Sequence, residues 1–172
     1  VRAGLAAYGK RMFSQDILRL AQQIVATAAE RGLMIATAES CTGGLVAALL
    51  TDIEGCSHAF ERGFVTYTDQ SKHELLGVDR ALLDRCGAVS CPVAIAMAEG
   101  AQHRSGAQIA VSTTGFAGPG SAEDEEGLVH FALAREGCNT VHRAESFGAI
   151  GRDAIRQRCL ETILDMLEES LT

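Results

Sequence analysis

Lysine is scarce in this sequence: of its 15 Lys and Arg residues only Lys10 and Lys72 are lysines. A compositional preference for arginine accounts for the ratio, and leaves open why the cation at position 72 remained a lysine. Long apolar runs are missing too. None approaches the roughly 18 residues that a membrane-spanning helix needs, so no membrane span is expected. The opening "VRAGLAAYGKR" has positive charge but no apolar stretch behind it, so it is not read as a signal peptide. Met12 offers an alternative start, and residues 1–13 are expected to be an extension outside the core. The six cysteines, at 41, 56, 86, 91, 138 and 159, include no C-x-x-C pair. The five histidines include no i, i+4 pair. Neither a metal site nor a disulfide framework is therefore expected, and a reducing cytoplasm with buried thiols is the expected compartment. No basic patch stands out in a chain of net charge −7. Duplex binding needs such patches to neutralise phosphates, so nucleic acid is not an expected partner.

What is present is an ordinary globular composition, 47% hydrophobic and 22% charged over 172 residues. One domain of that length buries about 70% of the surface of its unfolded chain, and residues 14–172 are read as that domain. "SQDILRLAQQIVATAAERG" carries apolar residues at helical spacing, with Ser14 as N-cap and Gly32 as stop. "LMIATA" reads as a buried strand, and "GGLVAALL" opens a second helix. "FERGFVTYT" reads as a strand, followed by a helix capped by Asp69. Ser90 with Pro92 opens a further helix. "AQIAVSTTG" is apolar and β-branched, hence a buried strand, and "FAGPGSAEDEEG" is a loop by composition. "LVHFALA" and "TVHRAESF" lie at hairpin distance around Gly137, Cys138 and Asn139. A long helix follows from about 152 to 170. Alternating strands and helices followed by a hairpin predict an α/β domain of three layers, a mixed sheet flanked by helices. No repeat, low-complexity tract or linker divides it. The helical and rather apolar composition makes a homodimer a reasonable expectation.

Four segments could carry chemistry. In "AESCTGG" Ser40 follows a strand and precedes a helix, the place where open α/β sheets put ligands. The amides of Thr42, Gly43 and Gly44 at the incoming helix favour an anion, either a phosphate or a developing oxyanion. The plainer reading is a helix cap formed by Ser40 or Thr42. The stretch fits neither G-x-S-x-G nor a P-loop. Cys41 is an alternative nucleophile for which no histidine partner is marked. Serine needs a base, and Lys72 is a candidate. It lies in the first turn of a helix, where burial and the dipole both favour the neutral amine, although a solvated surface lysine is the plainer reading. Tyr67, at the end of the preceding strand, could relay a proton or stack on a ring. In "STTGFAGPG", Thr114, Gly115 and Gly118 belong to a glycine-rich turn that permits close backbone approach to a ligand. In "GRDAIRQR", Arg152 and Arg156 share a helix face that suits a phosphate, while a salt bridge with Asp153 is the competing use.

Taken together and in order, "TAESCTGG", "ERGFVTYTDQSKHELLGV", "GAVS", "TGFAGP" and "GRDAIRQ" resemble the CinA C-terminal domain family, from about residue 15 to 168. The resemblance implies a compact α/β domain, here like the stand-alone form. Bacterial members of that family include amidases that hydrolyse nicotinamide mononucleotide to nicotinic acid mononucleotide and ammonia without a metal or other cofactor. It also implies Ser40 as nucleophile and Lys72 as general base. Tyr67 matches the family's site tyrosine, and Arg152 matches the arginine of the late motif. A mononucleotide would supply the phosphate for the glycine-rich turns or for Arg152 and Arg156. The other reading is a nucleotide-binding or regulatory domain that keeps the pocket without turnover. Two stretches depart from the family pattern. The loop after "AGP" is acidic and lacks the family's Lys-Pro, and Gly151 stands where Asp is common before the arginine. Carboxylates beside a phosphate would repel it.

Overall fold

The computed structural model describes residues 12–119 and 125–172. The first helix, α1 (Gln15–Glu30), starts where the Ser14 hydroxyl accepts from the Ile17 amide at 3.3 Å, and it buries Ile17, Ala21, Ile24, Val25 and Ala28 on one face. Phe13, assigned by its sequence position to an extension, is buried in the same cluster, so the core includes it. Residues 1–11 lie outside the described residues. Then follow β1 (Ile35–Glu39), α2 (Leu45–Thr51), a short 3-10 turn (Cys56–His58) and β2 (Phe60–Val65). Three helices come next, α3 (Asp69–Leu76), α4 (Arg80–Cys86) and α5 (Cys91–Ser105). β3 (Ile109–Gly115), β4 (Leu128–Arg135), β5 (Val141–Ser146) and α6 (Arg152–Ser170) complete the domain.

The sheet has the order β2-β1-β3-β4-β5. β1 pairs in parallel with β2 and β3, whereas β4 and β5 add antiparallel pairs, so the sheet is mixed and the α/β expectation holds. Every residue of β1 is buried, as befits a central strand covered on both faces. Alternation sorts its side chains. Ile35 joins the cluster that includes residues of α1, α2 and α6, while Ala36 and Ala38 join the one that includes residues of α3, α4 and α5. These are the outer two of the three layers. The α5 face of the sheet is built from small residues, with Ala110, Ala132 and Ala134 meeting Val93, Ala94, Met97 and Ala98.

The crossover β1–α2–β2 leaves β1 to one side, and β2–α3–α4–α5–β3 returns to the other. Their helices lie on opposite faces, as crossovers of one hand require. The direction of the chain therefore reverses about β1, and a crevice opens outside the carboxyl ends of β1 and β3. Among the described residues no helix is long and apolar enough to cross a membrane.

Gly100 on α5 fixes how closely α3 approaches. A Cβ there would lie 2.1 Å from the Leu76 carbonyl oxygen. Gly100→Ala gains about 1 kcal/mol of helix propensity, but the overlap forces the two helices apart. The expected result is a net loss of about 1–3 kcal/mol, read as a lower midpoint in urea unfolding.

Candidate active site

Five chain segments converge on the crevice: the turn after β1, the link from β2 into α3, residues 88–89 before α5, the loop after β3 and the start of α6. The turn after β1 owes its shape to Glu39. Its carboxylate, only 1% exposed, accepts from the amides of Gly44 and Val46 at 3.0 Å and of Ala47 at 2.8 Å. The cap of α2 is thus a strand residue that the sequence reading did not single out, and neither Ser40 nor Thr42 serves as the cap. Its signal was a carboxylate placed just before the turn that opens a helix, a position where a negative charge satisfies orphan amides and the dipole. Gly43 and Gly44 have φ of 62° and 93°, values that glycine adopts without strain. Their amides go to the Ser40 carbonyl at 3.1 Å and to Glu39, so neither is free for an anion. Among the described residues the amides of Cys41 and Thr42 are the ones in this turn with no acceptor on another residue.

The turn is held from two sides. The Ser40 amide donates to the Thr113 carbonyl at 3.0 Å, and the hydroxyls of Thr42 and Thr113 lie 2.8 Å apart. From α6, the Arg156 guanidinium donates to the Thr42 carbonyl. Arg156 therefore braces the turn and does not face the cavity, contrary to its reading as a phosphate ligand beside Arg152.

The start of α3 presents Lys72. The cap is Thr68 in a capping box with Ser71, which corrects the assignment to Asp69. Lys72 is 1% exposed, and its Nζ lies 3.4 Å from Ser40 Oγ and 3.3 Å from the Tyr67 carbonyl oxygen. Burial pushes this amine below the ordinary lysine range, and the opposing pull of Asp69, 4.0 Å away, and of the Cys41 sulfur does not restore it. The surface-lysine reading is thereby excluded. Tyr67 contributes its carbonyl to the lysine, while the residue as a whole is 64% exposed at the rim.

Ser40, Cys41, Tyr67, Lys72, Thr114, Gly115, Gly118 and Arg152 line one cavity of about 240 Å³, together with Ala88, Val89, Phe116, Ala117 and Pro119. Thr42, Gly43, Gly44 and Arg156 stand behind it and do not line it. The Thr114 hydroxyl is engaged by the Ala88 carbonyl at 2.7 Å. Gly115 lacks a side chain chiefly for β4, since a Cβ would come within 2.7 Å of the Leu128 carbonyl oxygen. Gly118 makes room for Arg152, whose guanidinium would be 3.1 Å from a Cβ there. Of the acidic loop, Glu123 and Asp124 lie outside the described residues, and the Glu125 carboxylate accepts from Ser146 at the end of β5. A larger cavity of about 610 Å³ lies between α1 and the end of α6, but its charged groups, Arg31 and Glu168, are exposed and no buried nucleophile or base faces it.

Residues 17–171 match the family model described as CinA C-terminal domain. The chain is 42% identical over 158 residues to the nicotinamide-nucleotide amidohydrolase PncC of Escherichia coli K12, covering 91% of this chain and 95% of that protein. It is 48% identical over 146 residues to a CinA-like protein of Geobacter sulfurreducens, covering 83% of this chain but only 34% of that longer protein. The crystal structure of the competence/damage inducible protein CihA from Agrobacterium tumefaciens superposes with a TM-score of 0.90 at 47% identity, over 94% of this chain and 99% of that one. The family model spans nearly the whole chain and the fold agrees with that of a solved relative, so the chain belongs to the CinA C-terminal domain family.

Proposed function

We propose that this chain is a serine–lysine amidohydrolase that converts nicotinamide mononucleotide to nicotinic acid mononucleotide and ammonia. The observation that carries the reading is the buried Lys72 Nζ at 3.4 Å from Ser40 Oγ at the base of a cavity. Its similarity to PncC of E. coli supports the substrate. A 3.4 Å contact is long for a hydrogen bond, and catalytic contacts of this kind tighten when substrate is bound.

The neutral amine of Lys72 directs its lone pair at the Ser40 hydroxyl while one N–H remains on the Tyr67 carbonyl. Lys72 takes the serine proton as Oγ attacks the carboxamide carbon. The oxyanion falls to the Cys41 amide, which has no acceptor on another residue and belongs to a residue lining the cavity. Lys72 then gives its proton to the departing nitrogen, ammonia leaves, and a water activated by the same amine cleaves the acyl-enzyme. Arg152, exposed at the cavity edge, is the cation placed for the substrate's phosphate.

Ammonia release from nicotinamide mononucleotide is the direct test. Nucleotide binding without ammonia would instead favour a binding or regulatory domain. Arg152→Ala is expected to raise KM about tenfold or more, as loss of a charge-assisted contact worth about 1.5–3 kcal/mol requires, with a smaller change in kcat. Initial rates across substrate concentration separate the two.

A further inference from the structure

The brace on the nucleophile turn is charged, and nothing about bracing requires that. Arg156 packs its guanidinium against Gly43, where a Cβ would lie 3.5 Å from Nη2. Its Nε is buried without a hydrogen-bond partner, and among the described residues no carboxylate forms a salt bridge with it. A half-buried cation without a counter-charge is costly, whereas a neutral donor would hold a carbonyl without that cost. The charge sits at one end of a chain of peptide groups. Arg156 donates to the Thr42 carbonyl. That carbonyl shares a peptide plane with the Gly43 N–H, which donates to the Ser40 carbonyl at 3.1 Å. The Ser40 carbonyl in turn shares a peptide plane with the Cys41 N–H, the amide that takes the oxyanion. A fixed cation is thus joined to the oxyanion donor through two peptide groups.

We propose that Arg156 is a positioning residue whose charge polarises the Cys41 amide through the Thr42–Gly43 and Ser40–Cys41 peptides, and so strengthens the oxyanion donor without touching the substrate. The effect on turnover rests on the amidase reading, whereas the polarisation of the amide does not. Peptide resonance is the medium. A donor on a carbonyl oxygen draws electrons from the adjoining nitrogen, and leaves its N–H more positive and a better donor. Hydrogen bonds in such a chain strengthen one another by about 10–30% per bond, and the first of these is charge-assisted, roughly twice as strong as a neutral one. The same turn carries a charge of opposite sign. Glu39 immediately precedes Ser40 and keeps its buried carboxylate on the amides of Gly44, Val46 and Ala47. A negative charge there opposes a developing oxyanion, and Arg156 supplies the sign that favours it. Removing an oxyanion donor outright costs about 10²–10³-fold in kcat, so weakening one by removing its polarising charge should cost less, about tenfold.

The test replaces the guanidinium by its neutral isostere. Ligating a synthetic 138–172 segment at the exposed Cys138 gives the full chain with citrulline at position 156. Citrulline retains an N–H₂ donor for the Thr42 carbonyl but carries no charge, and the same ligation with arginine is the control. The expected result is a kcat for ammonia release about tenfold lower at unchanged KM, since the oxyanion exists only in the transition state. Arg156→Met, which removes donor and charge together, should fall further. With residues 1–137 labelled with nitrogen-15, the Cys41 amide nitrogen should move to lower frequency in the citrulline protein. Amides remote from the turn should stay in place and show that the chain is folded. Turnover equal to that of the arginine control, or an unmoved Cys41 signal, would overturn the proposal and leave Arg156 a brace without an electrostatic part. So would a raised KM at unchanged kcat, which would place Arg156 in substrate binding. If the arginine control and the unligated protein released no ammonia, the amidase reading would fail, and the Cys41 signal alone would still decide the polarisation.

Discussion

Ser40→Ala is expected to reduce kcat for ammonia release by about 10⁴- to 10⁶-fold, as removal of a nucleophile does in a hydrolase whose groups act as a unit, with KM little changed. Lys72→Met, which keeps the length of the side chain but removes the amine, should fall to a similar level, and the double variant should be scarcely worse than either. Additive losses would mean that the two residues do not form a unit. Only the neutral amine is a base, so kcat/KM should rise as pH increases through the Lys72 value, which burial has shifted below the ordinary lysine range. The acid limb of that profile belongs to the lysine. Lys72→Arg keeps a cation that stays protonated at any working pH, so it should not restore activity. A Ser40→Ala protein retaining full activity would remove the nucleophile assignment, with Cys41 next in line.

Glu39 should matter most for stability. Its carboxylate is the partner of three amides at the start of α2, one buried and two part-buried, and also accepts from the Thr37 hydroxyl at 3.3 Å. An unsatisfied buried amide costs about 1–3 kcal/mol, and removing the residue deprives three at once. Water entering the vacated space would recover part of this, so Glu39→Ala is expected to lose about 3–5 kcal/mol, a large share of the 5–15 kcal/mol by which domains are stable. Glu39→Gln keeps one accepting oxygen but turns an N–H₂ group toward amide donors, and should lie between the two. Urea unfolding measures all three proteins. A loss under about 1 kcal/mol for the alanine variant would show that solvent satisfies the helix end as well as the carboxylate does.

Those residues also mark the boundary of what the sequence could say. The helical spacing of 14–32, the buried strand run at 107–115 and the hairpin around Gly137 are local patterns, and α1, β3 and the β4–β5 pair correspond to them. The short helix α4, capped by Asp79, went unread because its seven residues are too few for a period to emerge. Thr68 rather than Asp69 caps α3 because two adjacent polar residues compete for one position, and the capping box decides between them. At the site, Ser40 and Lys72 were legible as residue types that chemistry needs, but their proximity is long-range, set by the parallel pairing of β1 with β2. The inward turn of Glu39 and the brace from Arg156 are tertiary facts. In sequence the first is one acid among many, and the second is one half of a helix-face pair whose other half, Arg152, lines the cavity instead.

The brace from α6 has a consequence for when the site comes into being. Ser40, Lys72, β1 and β2 all precede α6 in the chain, so during synthesis both reacting residues are made before it. Arg156, which holds the nucleophile turn from behind, is translated well after both reacting residues. A ribosome-bound or proteolytically shortened chain without α6 would carry both reacting groups on a turn lacking its rear support. Turnover would then begin only once α6 has been translated, and a fragment ending before it would be silent even with its dyad intact.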